Sequence, residues 1–221
     1  MTPRTDLAPA DWLRTSRLPW DRLVTFGPEG FAAYARLRFL PDPASPGQQE
    51  ADAEPWPGTE TELLRTLLGV LARHTSTPEH CYYALWDGWG FTVPGPSADA
   101  PHERPQTYTA ARPGLAPHRV PAASALDGPL LELPHRSYAL FEGEVGDLGD
   151  WGEVQRRPGW PGYAPVPAFV WPADRAWCVA RDVDPHWAGI GASEQAVDEL
   201  VRHPGLDVVA SDPAEEPPAY R

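Results

Sequence analysis

Apolar residues alternate or cluster along this chain in ways that separate strands from helices. In Phe31 to Phe39, residues Phe31, Ala33, Ala35, Leu37 and Phe39 share one side, with Tyr34, Arg36 and Arg38 on the other. That is the two-residue period of a half-buried strand. The segment before it, Asp21 to Phe26, is joined to it by Gly27-Pro28-Glu29-Gly30, so the pattern predicts a hairpin. Asp11 to Ser16 predicts one helical turn. Leu63, Leu64, Leu67, Leu68 and Leu71 recur at helical spacing instead. Thr59 and Glu62 stand before them at the separation of a capping box. A helix from about residue 59 to His74 is expected. Cys81 to Trp86 is apolar on both sides, which marks a strand covered on both faces and therefore central.

Further strands are expected at Tyr138 to Val145 and in a hairpin of Ala164 to Pro172 with Arg175 to Asp184. In the second arm, Trp177 and Val179 face one way, Cys178 and Ala180 the other. Ser193 is a good N-cap for a second helix through Val201, with Glu194 in its first turn. His203-Pro204-Gly205 stops that helix, and Leu206 to Ala210 reads as an edge strand. The glycines Gly189 and Gly191 read as turn residues before the N-cap. The expected fold is α+β: a mainly antiparallel sheet of about six or seven strands, two helices on one face, and long proline-rich loops.

Between these elements the punctuation is heavy. Pro41 to Gly58 carries five prolines and reads as a surface loop. Pro94 to Pro129 carries eight prolines and no periodic pattern, so it is expected to be a lid-like or mobile insertion in a single domain spanning 1–221. Residues 146–162 are expected to be irregular. The acidic tail 211–221 is expected to fray.

Composition narrows the function classes. The 221 residues hold 31 acids and 18 bases, a formal charge of -13. Every base is arginine, and lysine and asparagine are absent, as coding from a GC-rich genome would leave them. A binder of the nucleic-acid backbone needs the opposite charge. No apolar run is long enough to span a membrane, and the first residues lack the apolar core of a signal peptide, so a cytoplasmic location is expected. Cys81 and Cys178 sit in apolar stretches and are expected to be buried free thiols.

Chemistry-bearing motifs are sparse. Asp182, Asp184 and His186 share a parity and would line one face if extended, a set suited to a hard or borderline metal or simply to a solvated rim. Asp87 and Asp182, with Asp184, His186 and Ser193, could line an acidic cleft between segments 81–91 and 182–193. Such a cleft would suit a small-molecule binder or a hydrolase-like enzyme. No phosphate loop and no nucleophile motif surrounds any of them. No cofactor is expected.

The 10 tryptophans are the most distinctive material. Trp89, Trp151 and Trp160 lie among turn glycines and are candidates for exposed contacts with a partner. Arg136, Arg157 and Arg175 are candidates to orient acidic groups.

Four stretches, FAAYARL, CYYALWDGWG, WPADRAWCVARDVDPHW and GASEQAVDEL, resemble a family of actinobacterial hypothetical proteins. That resemblance implies an intact domain and a cytoplasmic bacterial origin, and it implies no catalytic residue. The tryptophan-rich strands and acidic charge are also similar to the SMI1/KNR4 superfamily, which includes toxin-immunity proteins. The function expected is therefore non-enzymatic protein binding, with a basic protein as the partner.

Overall fold

The computed structural model describes residues 1–89, 128–156 and 165–220. Thirteen elements place the candidate residues. In chain order they are β1 (Thr2–Pro3), α1 (Asp11–Arg14), α2 (Trp20–Phe26), β2 (Ala33–Arg38), α3 (Glu60–Leu71) and β3 (Cys81–Trp86). Then come β4 (Leu131–Leu133), β5 (Arg136–Gly143), β6 (Phe169–Pro172), β7 (Cys178–Ala180), β8 (Trp187–Ala192), α4 (Glu194–Val201) and β9 (Val208–Ala210).

All nine strands join one antiparallel sheet in the order β1-β5-β3-β6-β7-β8-β2-β9, with β4 sharing the outer edge of β5. The fold is α+β, as expected, with more strands than the pattern predicted. β3 is flanked by β5 and β6, the central position that its two apolar faces demand. Cys81, Tyr83 and Leu85 point into one core layer and Ala84 into the other.

The first layer is closed by α3 and α4. Leu63, Leu64, Leu67, Leu68 and Leu71 are all buried there, together with Ala196, Val197 and Leu200. The Thr59–Glu62 capping box forms in both directions, at 3.3 Å for the Glu62 N–H to Thr59 Oγ1 and 2.7 Å for the Thr59 N–H to Glu62 Oε2. Ser193 Oγ accepts the Ala196 N–H at 3.2 Å. Both thiols are free and buried.

The second layer is covered by the chain's first residues, and here the sequence reading needs correction. Asp21 to Phe26 is the helix α2, not a hairpin arm. The strand face bearing Ala84, Leu140, Phe169 and Cys178 is apolar and would otherwise lie in water. Leu23 and Val24 of α2, with Ala10 and Leu13, supply its cover. That demand overrides the hairpin signal of the Gly27-Pro28-Glu29-Gly30 connection. β8 explains how α2 gets so close. A Cβ on Gly189 would stand 2.0 Å from the Thr25 carbonyl oxygen, and one on Gly191 2.2 Å from the Phe31 ring. These glycines are therefore strand residues that admit a helix and a ring, not turn residues.

Two further expectations change. The strand expected at 138–145 begins earlier, at Arg136, and pairs with β4 through a tight turn at Pro134-His135, where His135 has φ +68°. The tail expected to fray lies against the body: the Ser211 N–H donates to the Tyr34 carbonyl at 3.0 Å, and the Tyr220 hydroxyl to the Pro41 carbonyl at 2.5 Å. The insertion expected at 94–129 falls outside the described residues except for Gly128 and Pro129.

Candidate functional site

The end of the sheet where β3 stops collects most of the candidate residues. The register pairs Trp86 of β3 with Tyr138 of β5, and Leu133 of β4 with Arg136. Arg136 is thereby held at the strand end, with its guanidinium carbon 4.8 Å from the Trp86 ring centroid and 5.9 Å from that of Trp20. Cations over tryptophan faces at such distances are attracted by the ring quadrupole. The same guanidinium is ion-paired with Asp182, and both side chains are largely buried. Asp182 Oδ1 also accepts the Val183 N–H at 2.8 Å. The arrangement is a clamp that ties α2, β3, β5 and the segment after β7 together.

Trp89 meets Trp86 edge-on, with centroids 6.0 Å apart and an interplanar angle of 68°. Between them lies Asp87, half-buried in the turn that follows β3. Burial pushes its carboxyl above the usual carboxylate range, and the nearby negative charge of Glu132 pushes it further the same way. Hydrogen bonds from the backbone of Gly88 and of Asp87 itself offset only part of this. Glu132 is exposed on β4 and accepts the Ser137 hydroxyl at 2.7 Å. Tyr138 is fully buried beneath the clamp, and burial pushes its phenol upward. Among the described residues, one arginine, paired with Asp182, therefore stands beside two further carboxylates.

The remaining sequence candidates are dispersed. Asp184 is exposed and lines a groove with His186 and the tail. His186 is buried, with its Nε2 3.3 Å from Asp42 Oδ1, and burial lowers its pKa. Ser193 is exposed and occupied as the cap of α4. Asp87 and Asp182 thus both stand near the Tyr138 phenol, and each raises its pKa, while Asp184, His186 and Ser193 stand elsewhere. Among the described residues no three His, Cys, Asp or Glu side chains form a metal-holding group.

Of the partner-contact candidates, Trp89 and Arg136 come together at this site. Trp151 does not, and its reading as an exposed contact is overturned. It is fully buried, edge-on to Phe141 with centroids 4.9 Å apart, because it fills the layer between β5 and α3. Arg175 is exposed at φ +56° in the β6–β7 turn and covers the Trp12 ring at 5.2 Å. Arg157 and Trp160 lie outside the described residues.

Two members of the site were missed in the sequence. Glu132 belongs to the alternation Leu131-Glu132-Leu133, which carries the strand period but is only three residues long. Trp20 reaches the site only because its segment is a helix.

The thiols offer no nucleophile: burial pushes Cys81 up to about 12 and Cys178 higher still. No described helix is long and apolar enough to cross a membrane. Comparison with protein-family models, with curated proteins and with solved structures finds no match.

Proposed function

We propose that this protein is a non-enzymatic protein-binding module that receives a basic segment of its partner at Asp87 and Glu132, beside Trp89. One observation carries this reading. The charge of Glu132 raises the cost of ionising Asp87, while the one cation of the site among the described residues is paired with Asp182. An incoming lysine or arginine relieves that repulsion, and the tryptophan edges give its aliphatic stem an apolar surface. The net charge of -13 steers such a partner toward the protein from a distance. A toxin-neutralising role of the immunity-protein type is one form of this reading, since a basic toxin segment has the required chemistry.

The test is binding of an arginine-rich peptide to the full chain, followed by titration calorimetry at low and high salt. Asp87→Asn and Glu132→Gln are each expected to weaken binding about tenfold, the scale of one charge-assisted contact. Equal affinity in wild type and both variants sinks the proposed site.

A further inference from the structure

Among the described residues, the buried polar or charged ones are Arg36 and His186. His186 stands immediately before β8, and its carbonyl accepts the Phe39 N–H at 2.9 Å, so its backbone belongs to the sheet. Two kinds of neighbour enclose its side chain. The first is fixed. Asp42 Oδ1 lies 3.3 Å from His186 Nε2, and the same carboxylate is held by Arg36 through both oxygens and by Arg38 at 2.9 Å. The second is the tail. The Tyr220 ring stands edge-on to His186 with centroids 4.8 Å apart, and its hydroxyl donates to the Pro41 carbonyl at 2.5 Å. The other ties of the tail lie further back: Ser211 Oγ accepts from Arg36 Nε at 2.9 Å, and the Glu215 carbonyl accepts from Arg22 at 3.0 Å. Among the described residues, 216–219 form no hydrogen bond to the body. One ring contact and one hydroxyl therefore hold that stretch down.

We propose that His186 and Tyr220 form a proton-sensitive latch: the tail closes over the neutral imidazole and lets go when the imidazole takes up a proton. Two arginines already meet the Asp42 charge, so an imidazolium is a third cation on one carboxylate, in a largely buried setting. Burial is the largest influence on His186 and lowers its pKa from the ordinary 6.5. Asp42 and, from farther off, Glu50 favour the charged form, while Arg36 opposes it, and burial prevails. Asp184, Asp21 and Arg22, with Glu216 of the tail, line the same groove. The sheet, Asp42 and both arginines stay in place when the tail leaves, and what His186 gains is water. Its proton affinity then rises toward the ordinary value. At a pH well above 6.5 the imidazole is neutral whether the tail is on or off, and the closed form keeps its full advantage. As pH falls through that value, the open form takes up the proton first, and the tail is released. The tail is the two-state element that the proton biases.

Proton NMR titration of the full chain tests the latch from both ends, because the coupling is reciprocal. The His186 imidazole is expected to titrate at least about half a pH unit lower in wild type than in Tyr220→Ala, roughly a threefold difference in proton affinity. The Tyr220 ring signals are expected to move toward those of the free peptide SDPAEEPPAY, residues 211–220, as pH falls from about 7.5 to about 5. Their midpoint is expected to match that of His186. In His186→Gln, which cannot take the proton, they are expected to stay where they are. Tyr220 signals that do not move in wild type overturn the proposal. An equal His186 midpoint in wild type and Tyr220→Ala, or a higher one in wild type, does the same. So does a Tyr220 shift that persists in His186→Gln, which would assign the titration to a carboxylate of the groove. If His186→Gln fails to fold, the comparison of wild type with Tyr220→Ala decides alone.

Discussion

Arg36 and Arg136 are each largely buried, each over a tryptophan ring, and each paired with one aspartate, yet the two clusters have opposite electrostatic balances. Arg36 holds Asp42 through both oxygens, at 2.7 and 3.0 Å, while Arg38 donates to the same carboxylate at 2.9 Å and His186 approaches it at 3.3 Å. Arg38 also bridges to Asp207 at 2.8 Å. Burial opposes the Asp42 charge, but these partners prevail and lower its pKa to about 2. Around Arg136 the ratio is reversed, and Asp87 is pushed upward. A carboxylate with surplus cations stiffens a fold. A carboxylate short of them is a place for something else to bind.

The sharpest way to break this comparison is to remove Asp42. Asp42→Asn leaves Arg36 and Arg38 facing each other in a largely buried setting. Removing one partner of a buried ion pair costs about 3–5 kcal/mol, and the partial exposure here places the expectation near the lower value. Urea denaturation measures it; a loss under 1 kcal/mol would dissolve the distinction between the clusters. The same carboxylate sets an acid limb. Its folded pKa is about 2 against an ordinary 3.8, so its contribution is complete above pH 4 and is lost as pH falls through 2. The size implied by that difference is about 2 kcal/mol. The check is wild-type stability from pH 5 to pH 2 beside Asp42→Asn, whose curve is expected to be flatter in that window.

Arg136→Ala comes next. It leaves Asp182 largely buried without its cation and empties the space between Trp86 and Trp20. A loss of about 2 kcal/mol is expected, smaller than at Asp42 because one charge pair is broken where Asp42 joins several. Arg136→Lys is expected to recover less than half of it, since the ammonium cannot reproduce the planar stacking on tryptophan. Full recovery by lysine in thermal unfolding would show that charge alone matters there.

What could be read beforehand follows from how local each determinant is. The α3 stripe and its cap, the N-cap of α4 and the two-faced β3 depend on spacings within one segment, and they fold as those spacings require. α2 was misread because its identity is decided by an apolar sheet face assembled from β3, β5, β6 and β7, far off in sequence. Gly189 was misread for the same reason: only contact with the Thr25 backbone shows why the strand needs glycine. The site was legible as individual residues. Asp87, Asp182, Arg136 and Trp89 could be picked out by type, but the Trp86–Tyr138 register decides that the turn after β3 and the start of β5 share one end of the sheet. Asp42 lay hidden in a proline-rich loop, where composition suggests only solvent exposure.

Asp87→Asn gives the smallest expected effect on stability and the most direct contrast with Asp42→Asn. A group whose folded pKa is raised costs the folded state stability at neutral pH. That cost is present above its folded pKa and is relieved as pH falls below its unfolded value. Neutralising Asp87 therefore removes a repulsion with Glu132 and a burial penalty, and leaves no cation stranded, because Arg136 keeps Asp182. The same chemical change that costs several kcal/mol at Asp42 is expected to be neutral or to stabilise by up to about 1 kcal/mol here. Paired urea titrations at pH 7 and pH 4 decide it, with the gain expected to shrink at the lower pH as Asp87 becomes protonated in wild type. A clear loss of stability at pH 7 would mean that Asp87 has a structural partner, and the site would then have no uncompensated charge to offer.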